Sequence, residues 1–91
     1  MSNLNREEAT ALAQNRIEHL GRSVGDRFEL MSDLTKEVDQ GWVFFFNTAE
    51  YVSTRNPLTA LAGNGPILVT RRAEVFQLSS AIPWEIAVKN L

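Results

Sequence analysis

Ninety-one residues, 44% hydrophobic and 22% charged, suffice for one hydrophobic core but not two, and this balance is far from that of a disordered chain. The absence of cysteine excludes disulfide frameworks, thiolate metal centres and cysteine nucleophiles, and suits a reducing compartment such as the cytoplasm. A net charge of -2, with eight acids against five bases in residues 1–47, argues against nucleic acid as a partner and is compatible with a basic protein.

The polar start, Met1 to Glu8, lacks the basic and apolar pattern of an export signal. The apolar run Trp42 to Phe46 falls far short of the roughly 20 residues that cross a bilayer, so no membrane partner is expected. A helix then opens at Asn5, with Glu8 at the capping-box position, and closes at Gly21. Ala9, Leu12, Ala13, Ile17 and Leu20 recur at spacings of three and four and form one apolar stripe. Arg6, Gln14, Glu18 and Arg22 occupy the other face.

From Arg27 to Val38, the residues Phe28, Leu30, Leu34 and Val38 share one parity, which predicts a long or interrupted strand with a bulge near Met31 and Ser32. Asp39-Gln40-Gly41 supplies a turn, and Trp42 to Asn47 follows as an aromatic strand, completing a hairpin. Between Thr48 and Gly65 the strand pattern stops. Asn56 as cap, Pro57 as first helical residue and Gly63 as terminator predict one or two helical turns with Leu58 and Leu61 inward. Pro66–Thr70 and Glu74–Leu78 predict a second hairpin around Arg71-Arg72-Ala73, and a short helix starts at Pro83 with Trp84 and Val88 on one side. The fold class is α+β: an N-terminal helix packed on a small antiparallel sheet of about four strands, with a short C-terminal helix, in a single domain spanning 1–91.

No convergent catalytic set emerges from these residues. His19 is the only histidine and reads as a solvated residue near a helix C-terminus, while adjacent Glu7 and Glu8 read as first-turn acids. One histidine and no cysteine leave transition-metal ligation incomplete, so neither a metal nor a cofactor is expected. Gly63-Asn64-Gly65, followed by a proline without an N–H, reads as a structural corner rather than a phosphate loop. Arg71 and Arg72 beside an aromatic strand admit a base-stacking sheet, but two arginines form a weak basic footprint and read as a solvated turn.

Two features point to protein binding. Trp42, Phe44 and Phe46 project to one face of their strand and Val43 and Phe45 to the other. The second face must be covered by the crossover and the terminal helix, or offered to a partner. Asp26, Glu29, Asp33, Glu37 and Asp39 place five acids in fourteen residues, opposed only by Arg27 and Lys36. That run reads as a solvated edge strand or as an acidic patch steering a basic partner. The candidate partner-binding residues are Glu29, Asp33, Glu37 and Asp39, with Tyr51 and Arg55 from the crossover.

The stretches Gly41-Trp42-Val43-Phe44-Phe45-Phe46 and Leu61-Ala62-Gly63-Asn64-Gly65-Pro66-Ile67, with a hairpin and a proline-started helix after them, resemble the immunity protein 35 family, also called YrhB-like proteins. This resemblance implies a non-enzymatic protein that binds and neutralises a cognate bacterial toxin encoded next door. It also carries a chaperone-like alternative, a holdase for unfolded clients. It implies structural roles for Trp42 as core anchor and Gly63–Pro66 as corner. The turn Arg71-Arg72-Ala73 departs from the acidic or glycine-containing turn of that pattern. Homodimerisation stays open.

Overall fold

The computed structural model describes residues 3–61 and 63–90; Ala62 of the corner motif and the first two residues of the polar start lie outside them. Helix α1 (Arg6–Ser23) begins as the sequence predicts. The Asn5 side chain accepts from the Glu8 amide at 2.8 Å, and the Glu8 carboxylate accepts from the Asn5 amide at 3.0 Å. This reciprocal pair satisfies two amides that helical geometry leaves without partners. Ala9, Ala13, Ile17 and Gly21 are buried along one face, with Leu12 and Leu20 half-buried beside them.

The next segment is interrupted, as expected, but by a 3-10 turn (Ser32–Leu34) rather than a one-residue bulge. It divides the segment into β1 (Phe28–Leu30) and β2 (Lys36–Val38). The turn also shifts the phase of the alternation. Phe28 and Leu30 pack on the α1 side, Val38 packs in the opposite cluster, and Leu34 is exposed, so the single parity expected for these four residues does not persist.

The aromatic strand likewise divides, at Phe45, into β3 (Gly41–Phe44) and β4 (Phe46–Thr48). The Phe45 carbonyl accepts from the Met31 amide at 2.8 Å. Strand β4 pairs antiparallel with β1 in a two-stranded sheet, with Leu30 opposite Phe46. Strand β3 is central in a second, four-stranded antiparallel sheet, β2-β3-β5-β6, completed by β5 (Ile67–Thr70) and β6 (Val75–Gln77). One nearly continuous segment, Gly41–Thr48, therefore serves two sheets. The expected four strands are present as the larger sheet, and the smaller sheet is additional.

Both faces of the larger sheet are covered. Trp42, Phe44, Ile67 and Val69 meet the α1 stripe in one cluster, joined by Phe46 from the smaller sheet. Val43, Leu68 and Leu78 meet Ala87 and Val88 of α3 (Trp84–Lys89) in the other, where Phe45 and Trp84 make an edge-to-face contact at 6.1 Å. The terminal helix thus covers the second face, as one of the sequence alternatives holds, while the crossover packs on the α1 side through Leu61.

Two glycines fix the close approaches. A Cβ on Gly41, whose φ is +155°, would collide with the Val69 carbonyl oxygen, and one on Gly65 would collide with that of Leu78. The Asn64 side chain donates to the Phe46 carbonyl at 2.9 Å, and the Pro66 carbonyl accepts from the Leu78 amide at 2.8 Å. Gly63–Pro66 is therefore the structural corner anticipated from its composition.

Candidate interaction surface

The crossover contains a helix that the sequence reading does not predict. Thr48 ends β4 and caps α2 (Ala49–Thr54): its hydroxyl accepts from the Tyr51 amide at 3.0 Å and donates to the Thr59 carbonyl at 2.8 Å. A threonine followed by Ala49 and Glu50 carries a helix-start signal, with the acid in the first turn. Helix α2 ends at Arg55, a non-glycine residue in the left-handed region at φ 59°. From there the Arg55 guanidinium lies 5.7 Å from the Tyr51 ring centroid and 3.7 Å from the Met31 sulfur. Tyr51 and Arg55 are thus brought together and set against the segment that leads to Asp33.

Beyond α2, Asn56 caps a 3-10 turn at Pro57–Thr59, as its sequence predicts. The expected inward placement of Leu58 is wrong: the side chain is 93% exposed, while Leu61 is half-buried. The turn ends at Thr59 and Ala60 is extended, so Leu61 lies outside it and the three-residue spacing that would align both leucines on one helical face is lost. The Leu58 backbone is nevertheless held firmly. Its amide donates to the Asn56 side chain at 3.1 Å, and the Leu61 amide donates to the Asn47 side chain at 2.6 Å.

The four acids are all exposed but do not form one patch. Glu29 lies opposite Asn47, next to the start of α2, and makes a long contact of 3.7 Å with exposed Arg27. It also borders a groove between α1 and β1 in which Glu18 and Asp26 alternate with Arg22 and Arg27. Asp33 sits in the 3-10 turn between β1 and β2. Glu37 and Asp39 are at the far turn. Gly41 and Thr48 are separated by seven residues of extended chain, so about 20 Å divides that turn from α2.

Glu37 is engaged within the molecule. Arg71 crosses from the β5–β6 turn and donates to the Glu37 carboxylate at 3.1 Å, the Val38 carbonyl at 2.8 Å and the Asp39 carbonyl at 3.1 Å. Its guanidinium carbon lies 4.8 Å from the Trp42 ring centroid. The expectation of two solvated arginines therefore holds for Arg72 and fails for Arg71, which clamps two hairpin turns together over a buried indole. Trp42 Nε1 is buried with no hydrogen-bond partner among the described residues, so the ring contributes bulk and a π face here.

Among the described residues, no three histidine, cysteine or carboxylate side chains gather in a way that could hold a metal ion, and no helix is long and apolar enough to cross a membrane. The crossover presents half-buried Tyr51 and exposed Arg55 and Leu58 on a braced backbone, with exposed Glu29 and Asp33 alongside. No curated protein and no solved structure matches the chain. The family model for immunity protein 35 does match, over residues 7–89, which takes in α1, both sheets, the crossover and α3. The chain belongs to the immunity protein 35 family.

Proposed function

We propose that this protein binds a cognate bacterial toxin, encoded beside it, and neutralises it in the cytoplasm of the producing cell by covering its active site or another essential surface. Family membership across residues 7–89 is the observation that carries this reading. The surface supports it physically. Leu58 is a nearly fully exposed leucine on a hydrogen-bonded turn, so little backbone freedom is lost when it enters an apolar pocket. Arg55 and half-buried Tyr51 adjoin it in sequence and supply residue types that dominate interface energetics. Glu29 and Asp33 give the rim of the crossover a negative charge, and Asp39 at the far turn adds to the field that steers a basic surface.

Co-expression with the product of the adjacent gene tests the proposal. Rescue of host growth together with a stoichiometric complex on size exclusion is the expected result. A harmless neighbour that does not co-elute would overturn it. With a complex in hand, reversing the charges of Glu29, Asp33 and Asp39 together is expected to slow association and flatten its salt dependence, and an unchanged association rate would remove these acids from the interface.

A further inference from the structure

The two edges of the four-stranded sheet are treated differently. Strand β2 carries exposed Lys36 and Glu37, and Arg71 covers the carbonyl of Val38 at its end. Charged side chains and covered backbone groups are how an edge strand is kept from pairing. Strand β6, Val75-Phe76-Gln77, has neither protection. No charged residue occurs between Glu74 and Glu85.

Its backbone is set for pairing. The Leu78 amide donates to Pro66, and the Thr70 amide donates to Glu74, so residues 74, 76 and 78 direct their main-chain groups toward β5. By alternation, the amides and carbonyls of Val75 and Gln77 face outward from the edge. Phe76 lies opposite Leu68, whose side chain belongs to the α3-side cluster, so Phe76 projects to that side as well. Phe76, Ile82 and Ile86 are exposed by 37%, 39% and 51%, half of the six large hydrophobic residues exposed among the described residues.

We propose that β6 is the interface to a second copy of this chain, paired antiparallel about a two-fold axis through Phe76. Val75 of one protomer and Gln77 of its partner exchange both main-chain hydrogen bonds, and symmetry repeats the exchange, closing four bonds. Phe76 then faces its own copy as a non-hydrogen-bonded pair with Cα atoms about 4.5 Å apart, a spacing that lets the two rings pack on the α3 side. A second copy is the occupant that fits, because an uncharged edge in a chain of net charge -2 meets itself without like-charge repulsion. The two sheets become one of eight strands, and the crossover, whose α2 packs on β1 and β4, stays free for a toxin. Three paired residues a side make a small interface, so association is concentration-dependent and in the micromolar range, about 1 to 100 μM.

The absence of cysteine makes a clean test available. Phe76→Cys places two thiols across the axis at a Cα separation inside the roughly 4.4–6.8 Å range that a disulfide spans. Mild oxidation is expected to give a covalent dimer on a non-reducing gel, while Lys36→Cys, on the protected edge, stays monomeric. Sedimentation of the unsubstituted chain from about 1 μM to about 1 mM is expected to show a monomer–dimer equilibrium that Phe76→Glu abolishes while circular dichroism shows the variant still folded. Cross-linking of Phe76→Cys no greater than that of Lys36→Cys, or an unsubstituted chain that remains monomeric throughout, would overturn the proposal.

Discussion

Replacing Arg71 with alanine should cost this domain about 2.5–3.5 kcal/mol, far more than its place in a surface hairpin suggests. The substitution removes a cation from the face of Trp42, about 1 kcal/mol, and two charged hydrogen bonds to the carbonyls of Val38 and Asp39, about 0.5–1 kcal/mol each at a partly solvated site. It also removes the Glu37 ion pair, which adds only about 0.5 kcal/mol because the two side chains are 33% and 61% exposed and solvent screens them. For a chain of this size the loss corresponds to a fall in melting temperature of about 10–28 °C. The companion variant Glu37→Gln removes only the screened term and should lower stability by less than about 1 kcal/mol. Thermal and urea unfolding of both variants, with their double-mutant cycle, separates the contributions. The clamp argument is refuted if Arg71→Ala loses under about 0.5 kcal/mol, or if Glu37→Gln costs as much as Arg71→Ala.

Three further outcomes follow from backbone geometry and capping. Ala73 occupies the left-handed position of the β5–β6 turn at φ 70°, where a Cβ is penalised, so Ala73→Gly should raise stability by about 0.5–1 kcal/mol, read as a melting temperature several degrees higher. Gly65→Ala drives a Cβ into the Leu78 carbonyl and should cost at least about 4 kcal/mol; a soluble variant with an unchanged urea midpoint would contradict the packing described for this corner. Thr48→Ala removes both the cap of α2 and the tether to Thr59. It should cost about 1–2 kcal/mol and, if the crossover meets the toxin, accelerate dissociation of the complex in a surface-binding assay.

The parts of the fold that were legible in the sequence were those set by neighbours along the chain. Asn5 and Glu8 mark the start of α1, alternation assigns Trp42 and Val43 to opposite cores, and Pro83 opens α3. What was misread depended on phase or on distant residues. Reading a period of two through Met31–Thr35 placed Leu34 and Val38 with Phe28, because a 3-10 turn looks in sequence like two more strand residues. Helix α2 was missed because six residues give too short a window for periodicity, leaving only the Thr48 cap as a signal. Arg71 read as solvated because the indole beneath it and its carbonyl acceptors lie about thirty positions earlier in the chain. The candidate surface is the least legible part. Its six residues follow no motif, and only the fold shows that Tyr51 and Arg55 adjoin while Glu37 is engaged by Arg71.

The division of one strand between two sheets at Phe45 gives the molecule unequal ends. The larger sheet is held between α1 and α3, whereas the pair β1–β4 has no third strand and relies on α1 along one side and α2 at its end. A two-stranded ribbon is marginal alone, so this end can open as a local unit while the larger sheet and its two cores remain closed. Amide hydrogens of Glu29 and Asn47 should then exchange well before those of Val43 and Leu68. The end that loosens first carries Tyr51, Arg55 and Leu58, so a partner seated there would stabilise the part of the chain with the most to gain from being held, and the slowing of exchange on binding would report its footprint.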